Sequence, residues 1–314
     1  MSSSILHITN GDSTTNYLKS LHFSGDFITW REMLCEGKTT SDVGSETFWK
    51  NRFHFFKTSY NVSKKKFIDY TLKEYRSLCK KKESKEIVLW FEYDLFCQIN
   101  MLAVISWLKT YRKGYHISLV CSGKIDGEKK LKGLGELSEN QIHHHYKNRI
   151  DLTQDDIEYA DYIWQLYCSD SPLRLETVHQ FNPMSPFKYL ADALKSHLLR
   201  FPSIENGLNV IDNSILKTVK ENEFTSKEQL VGNLLQNQQD YGFGDIQYYH
   251  KLDKMNKLFT SFNPVKLSKK GRQTLYNQMN FYAQIRSDFS YLGGAKKYSY
   301  LHNNTTGKLL KITS

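Results

Sequence analysis

The chain has 314 residues, 39% of them hydrophobic and 14% aromatic, which is enough apolar material for a packed core and excludes wholesale disorder, and the length predicts two or three units. Its formal charge of +10 favours an anionic partner, either a phosphorylated small molecule or nucleotide or a nucleic acid. No apolar run has the length of a membrane helix, no charged-then-apolar leader opens the chain, and five scattered cysteines lack a Cys-x-x-Cys pair, so the expectation is a reduced cytoplasmic protein with no membrane partner.

Residues 5–9 read as a strand closed by Asn10-Gly11-Asp12-Ser13, and residues 14–21 carry apolar side chains at helical spacing. A second strand at 27–30 runs straight into Arg31-Glu32-Met33-Leu34-Cys35-Glu36-Gly37. A long helical region follows over 46–82, with a polar break at Asn61-Val62-Ser63. Residues 86–91 are continuously apolar, the pattern of a strand buried on both faces. Glu92-Tyr93-Asp94, a helix to about residue 111 and a fourth strand at 116–121 come next. Strands alternating with helices imply parallel crossover units covered on both faces. Residues 1–125 are therefore expected to form a Rossmann-like α/β domain.

The Lys- and Gly-rich stretch 124–135 reads as a flexible boundary. Four helices are expected at 138–149, 153–167, 172–181 and 186–201, with Ser138 and Thr153 as N-caps, which makes 136–206 a helical linking domain. In 207–314 the spacing predicts helices over 212–220, 226–236 and 245–258, a strand at 265–267 and a helix capped by Ser268. That order reads as a winged-helix-like α+β domain, closed by a hairpin over 298–312 that turns through Asn303 to Gly307.

In an open parallel sheet, ligands bind beyond the carboxyl ends of the strands, near the point where strand order reverses. Three polar blocks follow strands here: His7, Asn10, Gly11, Asp12 and Ser13 after the first, Arg31, Glu32 and Glu36 after the second, and Glu92, Asp94 and Gln98 after the third. Neighbouring strands would merge them into one crevice. The turn at Gly11 can offer backbone N–H groups and the Ser13 hydroxyl to an oxyanion, or Asp12 or Ser13 can simply cap the next helix. Arg31 is either a fork for phosphate or carboxylate or half of an internal ion pair with Glu32, Glu92 or Asp94. Asp12, Glu92 and Asp94 are the candidates for acid–base or cation chemistry.

Consecutive helical side chains point apart, so His143-His144-His145 does not make a chelate and no metal site is assigned. The Gly-Asp-Ser after the first strand is like the nucleophile block of the Gly-Asp-Ser esterases, but their late Asp-x-x-His is missing. The glycine-rich dinucleotide fingerprint and the Gly-Lys-Ser/Thr loop are missing too, so no cofactor is specified. Two functional readings lead, ahead of a third in which the N-terminal domain senses a small ligand and the C-terminal unit reports it to a partner. One is a phosphorylated or nucleotide-like ligand held at the strand ends, with or without turnover. The other is a DNA-associated regulator whose Lys254, Lys266, Lys269, Lys270 and Arg272 contact phosphates.

Three blocks in order, His7-x-x-Asn10-Gly11-Asp12-Ser13, Trp30-Arg31-Glu32-x-Leu34-x-Glu36-Gly37 and Trp90-Phe91-Glu92-x-Asp94-Leu95-x-x-Gln98, resemble the bacterial family known as DUF1835, a domain of unknown function. The resemblance covers about the first 125 residues. Phe201-Pro202-Ser203, Gly207-Leu208, Gly244-Asp245 and Leu292-Gly293-Gly294 are similar to the companion domain that follows it in such proteins. The resemblance implies that the strand-end blocks act as one site, and it implies no reaction. Tyr93 stands where members of that family often carry His.

Overall fold

In chain order the N-terminal half comprises β1 (Ile5–Asn10), α1 (Asp12–Ser20), β2 (Asp26–Trp30), β3 (Gly37–Lys38), α2 (Glu46–Tyr60), α3 (Lys64–Phe67), α4 (Lys73–Lys80), β4 (Glu86–Glu92), α5 (Leu95–Tyr111) and β5 (His116–Ser122). The structure is a computed structural model and describes residues 5–178, 185–287 and 289–312. The chain is mixed α/β, with a five-stranded sheet in the order β2-β1-β4-β5-β6, where β6 (Ile150–Asp151) is an antiparallel edge on an otherwise parallel array.

Period-two alternation explains why β4 is apolar throughout. Ile87, Leu89 and Phe91 face the layer built on α5, while Val88 and Trp90 face Leu18 of α1 and Ile142 of α6 (Glu139–Lys147). Helix α5 is buried almost all round, because it lies between the sheet and the next layer, α7 (Gln154–Tyr167) and α8 (Leu190–Leu198). As expected, Ser138 and Thr153 cap α6 and α7, accepting from the N–H groups of Gln141 and Asp156.

The middle segment corrects two expectations. The helix expected over 172–181 is a single 3-10 turn, Leu173–Glu176, over its described part, because the backbone leaves helical geometry at Thr177 (φ −121°) as Leu175 and Val178 turn into the core. Residues 179–181 lie outside the described residues. The segment also contributes a strand, β6, whose two residues pair with Ser118 and Leu119.

The remaining elements are α9 (Val210–Glu221), α10 (Lys227–Asn237), α11 (Asp245–Lys254), β7 (Phe259–Phe262), β8 (Val265–Leu267), α12 (Lys269–Leu275), α13 (Tyr282–Ile285), β9 (Tyr291–Gly293), β10 (Ala295–Lys296), β11 (Tyr300–Asn303) and β12 (Lys308–Lys311). Helix α11 stops four residues short of the expected 258, where Met255 and Leu258 dip into the core through a 3-10 turn. The hairpin β11–β12 forms as the Asn-Asn-Thr-Thr-Gly turn predicts, with Asn303 Oδ1 accepting from the N–H groups of Thr305 and Thr306. It lies on residues 202–204 and on Glu176, instead of closing the three preceding helices.

One pairing ties the two ends of the chain together. β3 runs parallel to β9, with Gly37 opposite Leu292 and Lys38 opposite Gly293. Glycine is required at 293, where φ is +68° and a Cβ would sit 2.3 Å from the Tyr167 carbonyl oxygen. One contiguous core runs from Leu6 to Leu309 through all three segments. Among the described residues no helix is long and apolar enough to cross a membrane.

Candidate functional site

Because β1 lies between β2 and β4, the three strand-end blocks meet where strand order reverses. Asn10 ends β1, and its amide engages two residues of α5: Nδ2 donates to Cys97 Sγ (2.9 Å), and Oδ1 accepts from Asn100 Nδ2 (2.8 Å). Asn100 is fully buried, donates also to the Glu32 carbonyl (2.5 Å) and accepts from Leu34 N–H (3.1 Å). A single amide thus staples the blocks after β1 and β2 to the helix after β4. Gln98 completes the staple, donating to the Glu92 carbonyl (2.7 Å).

The carboxylates of this cluster are roofed over. Glu92 Oε1 accepts from Leu134 N–H (2.7 Å), and Gly133 lies so close that a Cβ would be 2.9 Å from Glu92 Oε2. The Lys- and Gly-rich stretch therefore ends as a turn seated on Glu92. Asp94 caps α5 by accepting from Cys97 N–H (2.9 Å). The next two N–H groups, of Leu95 and Phe96, donate to the carbonyls of Asp240 and Tyr241. Gly242 closes the roof, with φ +63° and a Cβ position 2.1 Å from Asp94 Oδ1.

Burial, reinforced by the charge of Asp94, pushes Glu92 up to about 7. Burial also raises Asp94 and lifts the Cys97 thiol well above its ordinary value. Glu92, Asp94 and Cys97 each offer one ligand atom, all within 4.8 Å of one another. To hold a cation there, the group would have to give up the cap, the Leu134 bond and the thiol proton.

The rest of the first two blocks is placed differently. Asp12 and Ser13 are exposed at the start of α1, whose N-cap Gly11 (φ +90°) supplies no side-chain cap. Arg31 is engaged by Asp12 (2.7 Å), by the Tyr70 carbonyl (2.9 Å) and by Glu74 (3.5 Å). Asp12 and Glu74, and not Glu32, Glu92 or Asp94, are its ion-pair partners. His7 faces the α1 layer, away from the strand ends. There it stacks on Phe27, accepts from Trp90 Nε1 at Nδ1 (3.0 Å) and approaches the Ser24 carbonyl through Nε2 (3.2 Å). Glu32 is buried against Arg52 (2.9 Å), which also donates to the carbonyls of Met33, Glu36 and Lys38 and so braces the whole 31–38 loop.

Glu36, at the end of that loop, enters a second polar cluster. A cavity of about 220 Å³ lies between α2, α9, α11 and residues 285–298, and it is lined by Arg200, Lys251, Lys254 and Lys297 together with Glu36 and Asp212. Glu36 Oε2 accepts from Tyr60 Oη (2.5 Å), while Oε1 lies 3.5 Å from Arg200 and 3.8 Å from Lys251. Burial works against its charge, but Lys251, Arg200 and Tyr60 together hold Glu36 below the usual carboxylate range.

The other charges of the cavity are less well matched. Asp212 is 4% exposed, yet among the described residues no donor reaches its carboxylate. Lys254 and Lys297 have no carboxylate within ion-pair distance among the described residues. Burial lowers the pKa of Lys251, Lys254 and Lys297. Burial, then Lys254, pushes His250 down to about 4, so that it is neutral at pH 7. Arg200, 2% exposed, donates to the Cys35 carbonyl (2.6 Å), and its Nε has no partner.

Of the basic residues assigned to nucleic acid, Lys266, Lys269, Lys270 and Arg272 are exposed on β8 and α12. Lys254 lies apart from them, in the cavity wall. Sequence reasoning missed Asn100 and Cys97, whose only signal is a polar residue and a thiol in the first turns of an apolar helix. It also missed Arg200 and Lys251 as partners of Glu36, and Asp212 and Lys297 as its neighbours in the cavity wall, because no local pattern links them.

No family model matches the chain, and no curated protein matches it. Among solved structures it is similar to the Plasmodium falciparum topoisomerase II DNA-binding, cleavage and re-ligation domain, with a TM-score of 0.45 and 13% identity over 81% of this chain. The match spans 42% of that chain, and a likeness at this level bears on neither mechanism nor partner.

Proposed function

We propose that this chain binds a small phosphorylated anion in the cavity formed by Glu36, Arg200, Asp212, Lys251, Lys254 and Lys297. The observation that carries the reading is an imbalance: among the described residues, four cationic side chains face two carboxylates in one partly open cavity. Among the described residues, two of the lysines have no carboxylate in reach. Lys254 is exposed and Lys297 half-buried, so leaving them unpaired costs only part of what a buried cation would, and a bound phosphate dianion offsets that part.

The strand ends support the ligand class less directly. There Arg31 is already neutralised by Asp12 and Glu74, and the remaining charges are carboxylates under a roof of glycines. The block after β2 is the link, since it begins at the strand end and delivers Glu36 to the cavity. The strand order and the two covered faces support a Rossmann-like reading of the first 125 residues. Three helices followed by the β7–β8 hairpin support a winged-helix-like reading of the C-terminal part, whose α11 serves as a cavity wall.

Thermal melting against a panel of phosphorylated compounds, nucleotides and duplex DNA tests the proposal. A ligand at about a hundred times its Kd adds roughly 2.7 kcal/mol, a shift of a few degrees for a chain of this size. The shift is expected with a phosphorylated small molecule, is lost in Lys251→Gln and survives Asp12→Ala. A shift with duplex DNA alone would overturn it and turn attention to Lys266, Lys269, Lys270 and Arg272.

A further inference from the structure

We infer that the ligand of this cavity is a sugar phosphate, with its phosphate among Arg200, Lys251, Lys254 and Lys297 and a hydroxyl group donating to Asp212. The inference rests on the anion-binding reading above and adds the second half of the ligand. Asp212 sits in the first turn of α9, where its own backbone N–H is held by Asn209 Oδ1 (3.0 Å), so the position of its side chain is fixed from below. The carboxylate is almost wholly buried, lines the cavity and lacks a donor among the described residues. Lys251, Lys254 and Lys297 are near enough to interact with it through space, yet none reaches ion-pair distance.

A bare phosphate would answer the lysines and aggravate Asp212, because it would set a second anion beside an undonated carboxylate. The ligand must therefore present a donor on one side and an anion on the other. An ammonium donor would be repelled by the four surrounding cations, whereas a hydroxyl is neutral and can donate to Asp212 without that penalty. Glu36 does not compete for this role, since Tyr60, Arg200 and Lys251 already occupy it. Size points the same way. At about 220 Å³ the cavity lies below the roughly 300–1,000 Å³ of pockets that enclose a drug-sized molecule, a scale that suits a pentose or hexose phosphate.

Calorimetric titration of the full chain with ribose 5-phosphate and with inorganic phosphate separates the two levels of the argument. Ribose 5-phosphate is expected to bind about tenfold or more tightly than inorganic phosphate, the worth of one hydrogen bond to a charged group. Asp212→Asn should abolish that preference and leave inorganic phosphate binding equal or tighter, while Lys297→Gln weakens both ligands. Equal affinity of the wild-type chain for the two ligands overturns the inference but leaves anion binding standing. So does an Asp212→Asn variant that tightens both alike. Failure of both ligands to bind the wild-type chain overturns the inference together with the reading beneath it. The comparison of ribose 5-phosphate with inorganic phosphate needs no variant, so the inference stays testable even if Asp212→Asn does not fold.

Discussion

The strand-end cluster and the basic cavity are both polar, both largely buried and joined by one loop, yet they treat their charges in opposite ways. At the strand ends most polar groups already have a protein partner. Asn10 is matched to Cys97 and Asn100, Asp94 to the start of α5, Glu92 to Leu134, and Arg31 to Asp12. In the cavity, Asp212, Lys254 and Lys297 face a common space without an ion-pair partner among the described residues. A cluster that satisfies itself is architecture by default, and one that leaves charge unanswered at a cavity wall is poised for a ligand. Position at the carboxyl ends of parallel strands is a weaker guide than this electrical balance.

The comparison breaks most severely at the brace between the two clusters. Arg52 and Glu32 are both buried and 2.9 Å apart. Arg52→Ala strands Glu32 without a partner and frees the loop that carries Glu36. The expected loss is about 3–5 kcal/mol, read as a lower midpoint in chemical denaturation. Ligand-induced stabilisation should vanish with it. A loss below about 1 kcal/mol would mean that the loop is held by its backbone and that the two clusters are independent.

A second test sharpens the strand-end half. The folded chain holds Glu92 near 7, against an ordinary 4.5, so the native state keeps a proton that the unfolded chain releases. The protonated carboxyl therefore contributes stability that is fully present below about 4.5 and is lost as pH rises to about 7. At about 1.4 kcal/mol per unit, that amounts to about 3 kcal/mol over the window. Glu92→Gln mimics the protonated form, so its melting temperature should rise relative to the wild type as pH climbs from 4.5 to 7. A flat difference across that window would show that Glu92 titrates as an ordinary carboxyl and that the roof of Gly133 and Leu134 does not exclude water.

Much of the strand-end cluster was legible in the sequence, and almost none of the cavity was. An apolar run followed at once by a polar block marks a buried strand and its end, and β1, β2 and β4 each carry that mark. The helices between them force a parallel sheet, which brings the blocks together without further information. Asn100 escaped because a lone amide inside the apolar run of α5 looks like a tolerated defect until its partners are known. Glu36, Arg200, Asp212, Lys251 and Lys297 reach the cavity from separate elements, and the pairing that gathers them, β3 with β9, covers only Gly37 and Lys38 opposite Leu292 and Gly293. Strands of two residues have no periodicity to read. The hairpin β11–β12 was legible for the opposite reason, since its turn chemistry is local, although the surface it packs on is not.

The smallest expected effect bears on Asp12, a residue that sequence reasoning named beside Glu92 and Asp94. Asp12 follows the first strand, begins α1 and grips Arg31 at 2.7 Å, so pattern alone marks it as functional. Its side chain is 52% exposed and that of Arg31 is 23% exposed, so water and salt screen much of their attraction. Arg31 also keeps the Tyr70 carbonyl and Glu74 when Asp12 is gone. Asp12→Ala should therefore cost only about 0.2–1 kcal/mol, with less loss at high salt, and should leave the cavity's affinity for ribose 5-phosphate unchanged. If Asp12→Ala instead removed ligand binding at unchanged stability, the contrast between the clusters would reverse. The exposed start of α1, with its uncapped first turn and the Arg31 fork released beside it, would then be the ligand site, and the cations of the cavity would have to be explained as architecture.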